Sequence, residues 1–169
     1  MKKIFAILGT ALLAAAVLTG CSNAAGGNDG KKLTPEQQML GEKLAAVGTA
    51  NQAAFNKLQE LSMKASGAGG FEQSDIESAI KLVAAIEPKV ADLKTKATEY
   101  LTKNDKAADA GKVETACTDY TAALGEVINL LKHADTTTNK GKIPEANTKF
   151  LEAIPKFEKA QQKLAPLFQ

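Results

Sequence analysis

The sequence predicts an all-α protein, an antiparallel up-down-up-down four-helix bundle built from residues 33–169. Apolar residues recur there at alternating spacings of three and four, which is the spacing of one helix face. No segment shows the alternation of apolar and polar residues that marks a strand. The connections between the helical segments are short, so neighbouring helices are expected to run antiparallel.

The first predicted helix covers residues 35–65. Thr34 is a suitable N-cap, the proline after it fits the first helical position, and Gln37 can close a capping box. The glycine-rich segment 66–70 ends the helix. Its apolar stripe has Asn51 as its one polar member. The stripe consists of Leu40, Leu44, Val47, Asn51, Ala54, Leu58 and Leu61.

The second predicted helix covers residues 75–103. The segment 74–77 has the residues of a capping box, with a serine followed three residues later by a glutamate. Pro88 lies in the middle of this helix, so a kink is expected there. The apolar stripe consists of Ile76, Ile80, Val83, Ile86, Val90, Leu93, Ala97 and Leu101.

The third and fourth predicted helices form the second half of the bundle. They cover residues 107–134 and 144–168, with the polar turn 135–141 between them and Pro155 inside the fourth. The third stripe consists of Val113, Cys117, Tyr120, Leu124, Val127, Leu131 and Ala134. The fourth consists of Ile143, Asn147, Phe150, Ile154, Phe157, Gln161, Leu164 and Phe168.

A weak internal repeat relates the two halves of this region. Residues 49–54 align with residues 118–123, and residues 85–89 resemble residues 153–156, at offsets of 67 to 69. A duplicated helical hairpin would explain why the second and fourth helices each contain a proline. Chance similarity between helices rich in alanine and lysine is the alternative.

The N-terminal segment has the organisation of an export signal. Two lysines precede an apolar run of 14 residues, 4–17. This run is shorter than the roughly 20 residues of a membrane-spanning helix and typical of the core of a signal peptide. Leu18-Thr19-Gly20-Cys21 follows, and it resembles the lipobox of bacterial lipoproteins. An ordinary secretory signal with a coincidental cysteine, or an uncleaved anchor helix, is the alternative.

The lipobox resemblance implies where in the cell the protein is located. Residues 1–20 would be a lipoprotein signal peptide, and Cys21 would become the acylated, palmitate-bearing first residue of the mature chain. Residues 21–32 would then be the acylated cysteine and a flexible tether, because residues 22–32 contain no core-forming side chain. Ser22 permits transfer to the outer membrane if the host is Gram-negative. In a Gram-positive host the anchor would lie on the outer face of the cell membrane.

The charge composition argues against binding of nucleic acid. All 21 basic residues are lysine, and loss of Lys2 and Lys3 with the signal leaves 19 against 19 acidic residues. The mature chain therefore has no basic excess, and it lacks the arginine that favours phosphate recognition.

Few residues carry reactive chemistry, and the sequence predicts neither a catalytic residue nor a metal or cofactor site. Cys117 lies on an apolar stripe and is expected to be a buried core residue, with a reactive or intermolecular thiol as the alternative. His133 is the only histidine and is expected in the last turn of its helix, where a cation is favourable. The absence of CxxCH excludes c-type haem attachment, and the last helix has no histidine for a b-type haem. We expect a protein that is not an enzyme.

One polar group of residues is expected at mid-height in the bundle. The helix midpoints place Asn51, Pro88, Tyr120 and Pro155 at about the same level. Each proline removes a helical hydrogen bond from a carbonyl group, which needs another donor if it is buried. The hypothesis is a polar layer that fixes helix register, as a buried asparagine does in coiled coils. A small ligand site at the same place is the alternative.

These observations lead to two functional hypotheses. The first is a lipid-anchored lipoprotein of the cell envelope with a binding or structural role, presenting its helices to another envelope component, such as a protein. The second is a carrier that holds a small ligand inside the bundle. An exposed interaction surface would favour the first, and a polar central cavity would favour the second.

Overall fold

The computed structural model describes residues 32–67 and 70–169, so the predicted signal peptide, lipobox and most of the tether lie outside the described residues. The described part of the chain is helical and contains no strand. The elements are α1 (Pro35–Ser66), α2 (Gln73–Ala84), α3 (Ile86–Lys103), α4 (Ala107–Lys132), α5 (Lys142–Leu164) and a terminal 3₁₀ turn (Ala165–Phe168).

The helices form the predicted up-down-up-down bundle. The segments α2 and α3 follow one another along one corner, so the five helices occupy four corners. Helix α1 packs against this corner on one side and against α5 on the other, and α4 packs against the same two neighbours. Helices α1 and α4 therefore lie diagonally across the bundle. The fold class predicted from apolar spacing is confirmed.

The start of α1 is the predicted capping box. The backbone N–H of Gln37 donates to Thr34 Oγ1 at 3.2 Å, and the backbone N–H of Thr34 donates to Gln37 Oε1 at 2.8 Å. Gln37 Nε2 also donates to the carbonyl of Leu167 at 2.8 Å. The first turn of α1 is thus held to the last turn of the described chain.

The second predicted helix differs from the prediction at its start and at its middle. It begins at Gln73, and the Glu72 N–H donates to Asp75 Oδ2 at 3.2 Å, so the predicted box at 74–77 is wrong. The helix breaks at Ala85, three residues before Pro88. A proline cannot bond the carbonyl four residues before it and clashes with it. The break therefore falls one turn earlier, and Pro88 lies in the first turn of α3.

The stripe predicted for α5 is shifted by one residue at three places. Asn147, Gln161 and Phe168 are half-buried, and Ala146, Ala160 and Leu167 occupy the buried positions beside them. A spacing of 3.6 residues allows either member of each neighbouring pair to face the core. Helices α4 and α5 form the most extensive helix pair in the bundle.

Candidate functional site

The buried polar contact of the bundle joins Asn51 and Tyr120. The Tyr120 hydroxyl donates to Asn51 Oδ1 at 2.7 Å. Asn51 is 5% exposed and Tyr120 is fully buried. The ring of Tyr120 also packs on Phe157 of α5, with centroids 5.2 Å apart and planes tilted by 36°. This contact therefore connects three corners of the bundle.

The helices bring these two residues together because each lies on an inward stripe at the middle of its helix. Helices α1 and α4 are diagonal partners, so a bond between them crosses the centre of the bundle. Asn51 and Tyr120 are also equivalent positions of the internal repeat, 69 residues apart.

The two prolines do not join this contact. Pro88 and Pro155 are exposed, so the structure brings together two of the four residues expected in the polar layer. The prolines leave the carbonyl groups of Ala84 and Leu151, four residues earlier, without a helical hydrogen bond. Ala84 is exposed and Leu151 is half-buried. Their carbonyls are therefore at or near solvent and do not depend on the side chains of the core.

The contact between Asn51 and Tyr120 is a neutral hydrogen bond. Burial raises the pKa of the Tyr120 hydroxyl well above its usual range. The hydroxyl therefore keeps its proton at physiological pH and acts as a donor. Such a pair stabilises the arrangement of the helices and offers no acid or base for catalysis.

Cys117 is a buried thiol one turn before Tyr120. It is fully buried and forms no disulfide. Burial raises its pKa to about 11, with a small opposing effect from Lys94. A thiol with such a pKa is protonated at neutral pH and is a poor nucleophile.

His133 lies at the C-terminal cap of α4, at the helix end where the sequence placed it. Its side chain is exposed, and its Nδ1–H can donate to the carbonyl of Asn129 at 2.8 Å. Within residues 32–67 and 70–169, no three His, Cys, Asp or Glu side chains come close enough to hold a metal ion.

The turn between α4 and α5 is organised by Asp135, which sequence reasoning did not single out. Its Oδ1 accepts the backbone N–H groups of Thr137 and Asn139 at 2.8 and 2.9 Å, and its Oδ2 accepts the hydroxyl of Thr138 at 2.8 Å. These hydrogen bonds hold the pKa of the Asp135 carboxyl well below its usual range. An aspartate followed by threonines and asparagine is the available signal for such a turn.

Sequence reasoning also missed a lysine-lined surface groove between α4 and α5. Its volume is about 620 Å³, and it lies along the first three turns of α4 and the last turns of α5. Its charged lining residues are Lys112, Asp119, Lys159 and Lys163. The residues sit on the outward faces of their helices, so no apolar pattern could have indicated that they share a groove.

No protein-family model matches the chain, and neither does any curated protein or solved structure. The class of the protein is therefore defined by its fold, an all-α up-down-up-down bundle. Among the helices of the described residues, none has a stretch both long and apolar enough to span a membrane.

Proposed function

We propose that this protein is a lipid-anchored lipoprotein of the bacterial cell envelope with a non-catalytic binding or structural role. The observation that carries the proposal is the order of features along the chain. The lipobox cysteine, Cys21, is separated by the 13 residues 22–34 from the first helix of the bundle, which begins at Pro35. Acyl chains on Cys21 would hold the bundle at the membrane, where its helices are available to another envelope component.

A structural or surface-binding role has more support than carriage of a ligand in the bundle interior. Asn51 and Tyr120, which would hold such a ligand, bind each other. Neither residue lines the surface grooves between α4 and α5, between α1 and α3, or beside His133. Catalysis has little support as well, because the buried Cys117 and Tyr120 are both kept protonated by their surroundings.

The anchor is tested by replacing the cysteine of the lipobox. Cys21→Ala is expected to abolish incorporation of labelled palmitate and to release the protein from the membrane fraction or leave it as precursor. Ser22→Ala is the matched control, because it alters the neighbouring residue and keeps the thiol. Undiminished palmitate incorporation in Cys21→Ala would show that this cysteine is not the lipidation site.

The binding role is tested with the folded bundle as bait in envelope extract. A component retained by the native protein and lost after heat unfolding supports recognition of a folded helical surface. Retention by both forms would indicate binding to an unfolded segment and would argue against this role.

A further inference from the structure

The groove between α4 and α5 lies at the end of the bundle where the described chain begins. We call this end, where α1 and α4 begin and α3 and α5 finish, the proximal end. It is tied together by the hydrogen bond from Gln37 to the Leu167 carbonyl and by the ion pair between Lys103 Nζ and Glu36 Oε1 at 2.8 Å. A chain that emerges from Cys21 therefore reaches this end of the molecule first.

The groove has an excess of positive charge. Lys112 and Lys163 share a single carboxylate, Asp109, at 3.4 and 4.0 Å from their Nζ atoms. Lys159 is exposed and makes no ion pair within the described part of the chain. The acidic residues opposing these three lysines are Asp119, which lines the groove, and Asp109, which pairs with two of the lysines. The long side chains can extend their ammonium groups to an anion without moving the helices.

Gly111 of α4 is one of the residues that line the groove. A Cβ atom added at Gly111 would meet nothing within 4 Å, so helix packing does not require this glycine. The groove is therefore open at this position.

We propose that this groove binds anionic phospholipid headgroups, so that the proximal end of the bundle rests on the membrane surface. The inference rests on the proposed lipid anchor at Cys21. Residues 22–32 span at most roughly 36–40 Å when extended. The groove begins at the proximal end and runs roughly 12–18 Å along α4 at 1.5 Å per residue. The anchor therefore leaves the groove within reach of headgroups, and its positive charge selects anionic ones.

The expected strength follows from the number of lysines. A lysine near an anionic membrane surface contributes roughly a fivefold increase in affinity. Screening shortens the range of such contacts from about 10 Å in 0.1 M salt to about 3 Å in 1 M salt. Contact of the proximal end with the membrane should therefore require anionic lipid and should be lost at high salt.

The absence of tryptophan from the sequence allows a direct test. Phe168→Trp places a single probe at the proximal end, and Phe71→Trp places one at the opposite end; both aromatic side chains are partly buried against the core. The mature protein, as purified from cells, is mixed with phosphatidylcholine vesicles that either contain or lack phosphatidylglycerol. A small fraction of headgroup-nitroxide lipid then quenches whichever probe lies at the membrane surface.

In anionic vesicles at low salt, the proximal probe should be quenched more strongly than the distal probe. The difference should disappear when Lys112, Lys159 and Lys163 are all replaced by glutamine. A control variant carries the same charge change at three exposed positions towards the other end of the bundle. This variant should retain the difference in quenching between the two probes. That control replaces Lys81, Lys132 and Lys140 by glutamine.

Equal quenching of the two probes in anionic vesicles, or equal behaviour of the two triple variants, would overturn the proposal. Flotation of the protein with the vesicles distinguishes failure of the groove proposal from failure of the anchor hypothesis. Protein that floats only with anionic vesicles, with the proximal probe quenched, would contradict acylation and leave the lysine contact supported. Protein that floats with neither vesicle would overturn both.

Discussion

The hydrogen bond between Tyr120 and Asn51 predicts a strong energetic coupling between two residues that are distant in the sequence. Tyr120→Phe removes the hydroxyl and leaves Asn51 Oδ1 buried without its donor. Asn51→Leu removes the acceptor, keeps a similar volume, and leaves the tyrosine hydroxyl unpaired. Each single variant should lose about 1–3 kcal/mol of unfolding free energy, because a buried polar group without a partner carries its full desolvation cost.

The double variant should be much less destabilised than the sum of the single variants. With both polar groups removed, no unpaired donor or acceptor remains, and replacing both partners with apolar groups of similar shape is often nearly neutral. The coupling free energy in the double-mutant cycle should therefore be about 1–3 kcal/mol, in the range for residues in direct contact.

The assay is urea unfolding followed by far-ultraviolet circular dichroism, since the protein has no tryptophan and its described part is helical. The slope of the transition should stay constant across the four proteins, so that midpoints can be compared directly. Size-exclusion chromatography with light scattering reports any change in assembly when the polar contact is lost. Additive single effects, with coupling below about 0.5 kcal/mol, would refute the bond as a buried, satisfied contact.

Three further predictions concern other parts of the bundle. Cys117 should react slowly with a thiol reagent in native buffer and quickly in denaturant, because it is fully buried with a pKa raised to about 11; equal rates would contradict its burial. Gly125→Ala should raise the free energy of unfolding by about 0.5–1 kcal/mol, since the added Cβ meets no atom within 4 Å and helix propensity improves; urea midpoints check this, and a loss of stability would show a missed clash. The depressed pKa of Asp135 stabilises the fold above the ordinary carboxyl pKa of about 4, and this contribution is lost as the pH falls towards the lower folded value. The midpoint difference between the wild type and Asp135→Ala should therefore be larger at about pH 7 than at about pH 3, and an unchanged difference would refute the assignment.

The sequence predicts the fold well because helix periodicity and capping are local properties. The stripe of α1 is buried at every predicted position, and the box between Thr34 and Gln37 forms as expected. The stripe predicted for the last helix is wrong at Asn147, because Ala146 and Asn147 are both compatible with the helix period. Only the close packing of α4 against α5 determines that the alanine faces inward.

The candidate sites could be predicted in part. Midpoint arithmetic placed Asn51 and Tyr120 at one height on inward stripes, but it did not predict that the two side chains bond each other. The same arithmetic gives a residue's position along the bundle axis but not the side of the helix on which it lies. It could therefore not show that Pro88 and Pro155 are exposed. The lysine groove depends on the spacing of two outward helix faces, which is a tertiary property without a signal in either segment.

The diagonal bond between Asn51 and Tyr120 also affects how the molecule opens. Each hairpin has its own short connection, so without a cross-link the two could separate in independent steps. Separation would break a buried hydrogen bond at the centre and expose the apolar faces of both hairpins. The two halves should therefore behave as one cooperative unit, with the central amides of α1 and α4 exchanging their hydrogens for deuterium at the same, slowest rate.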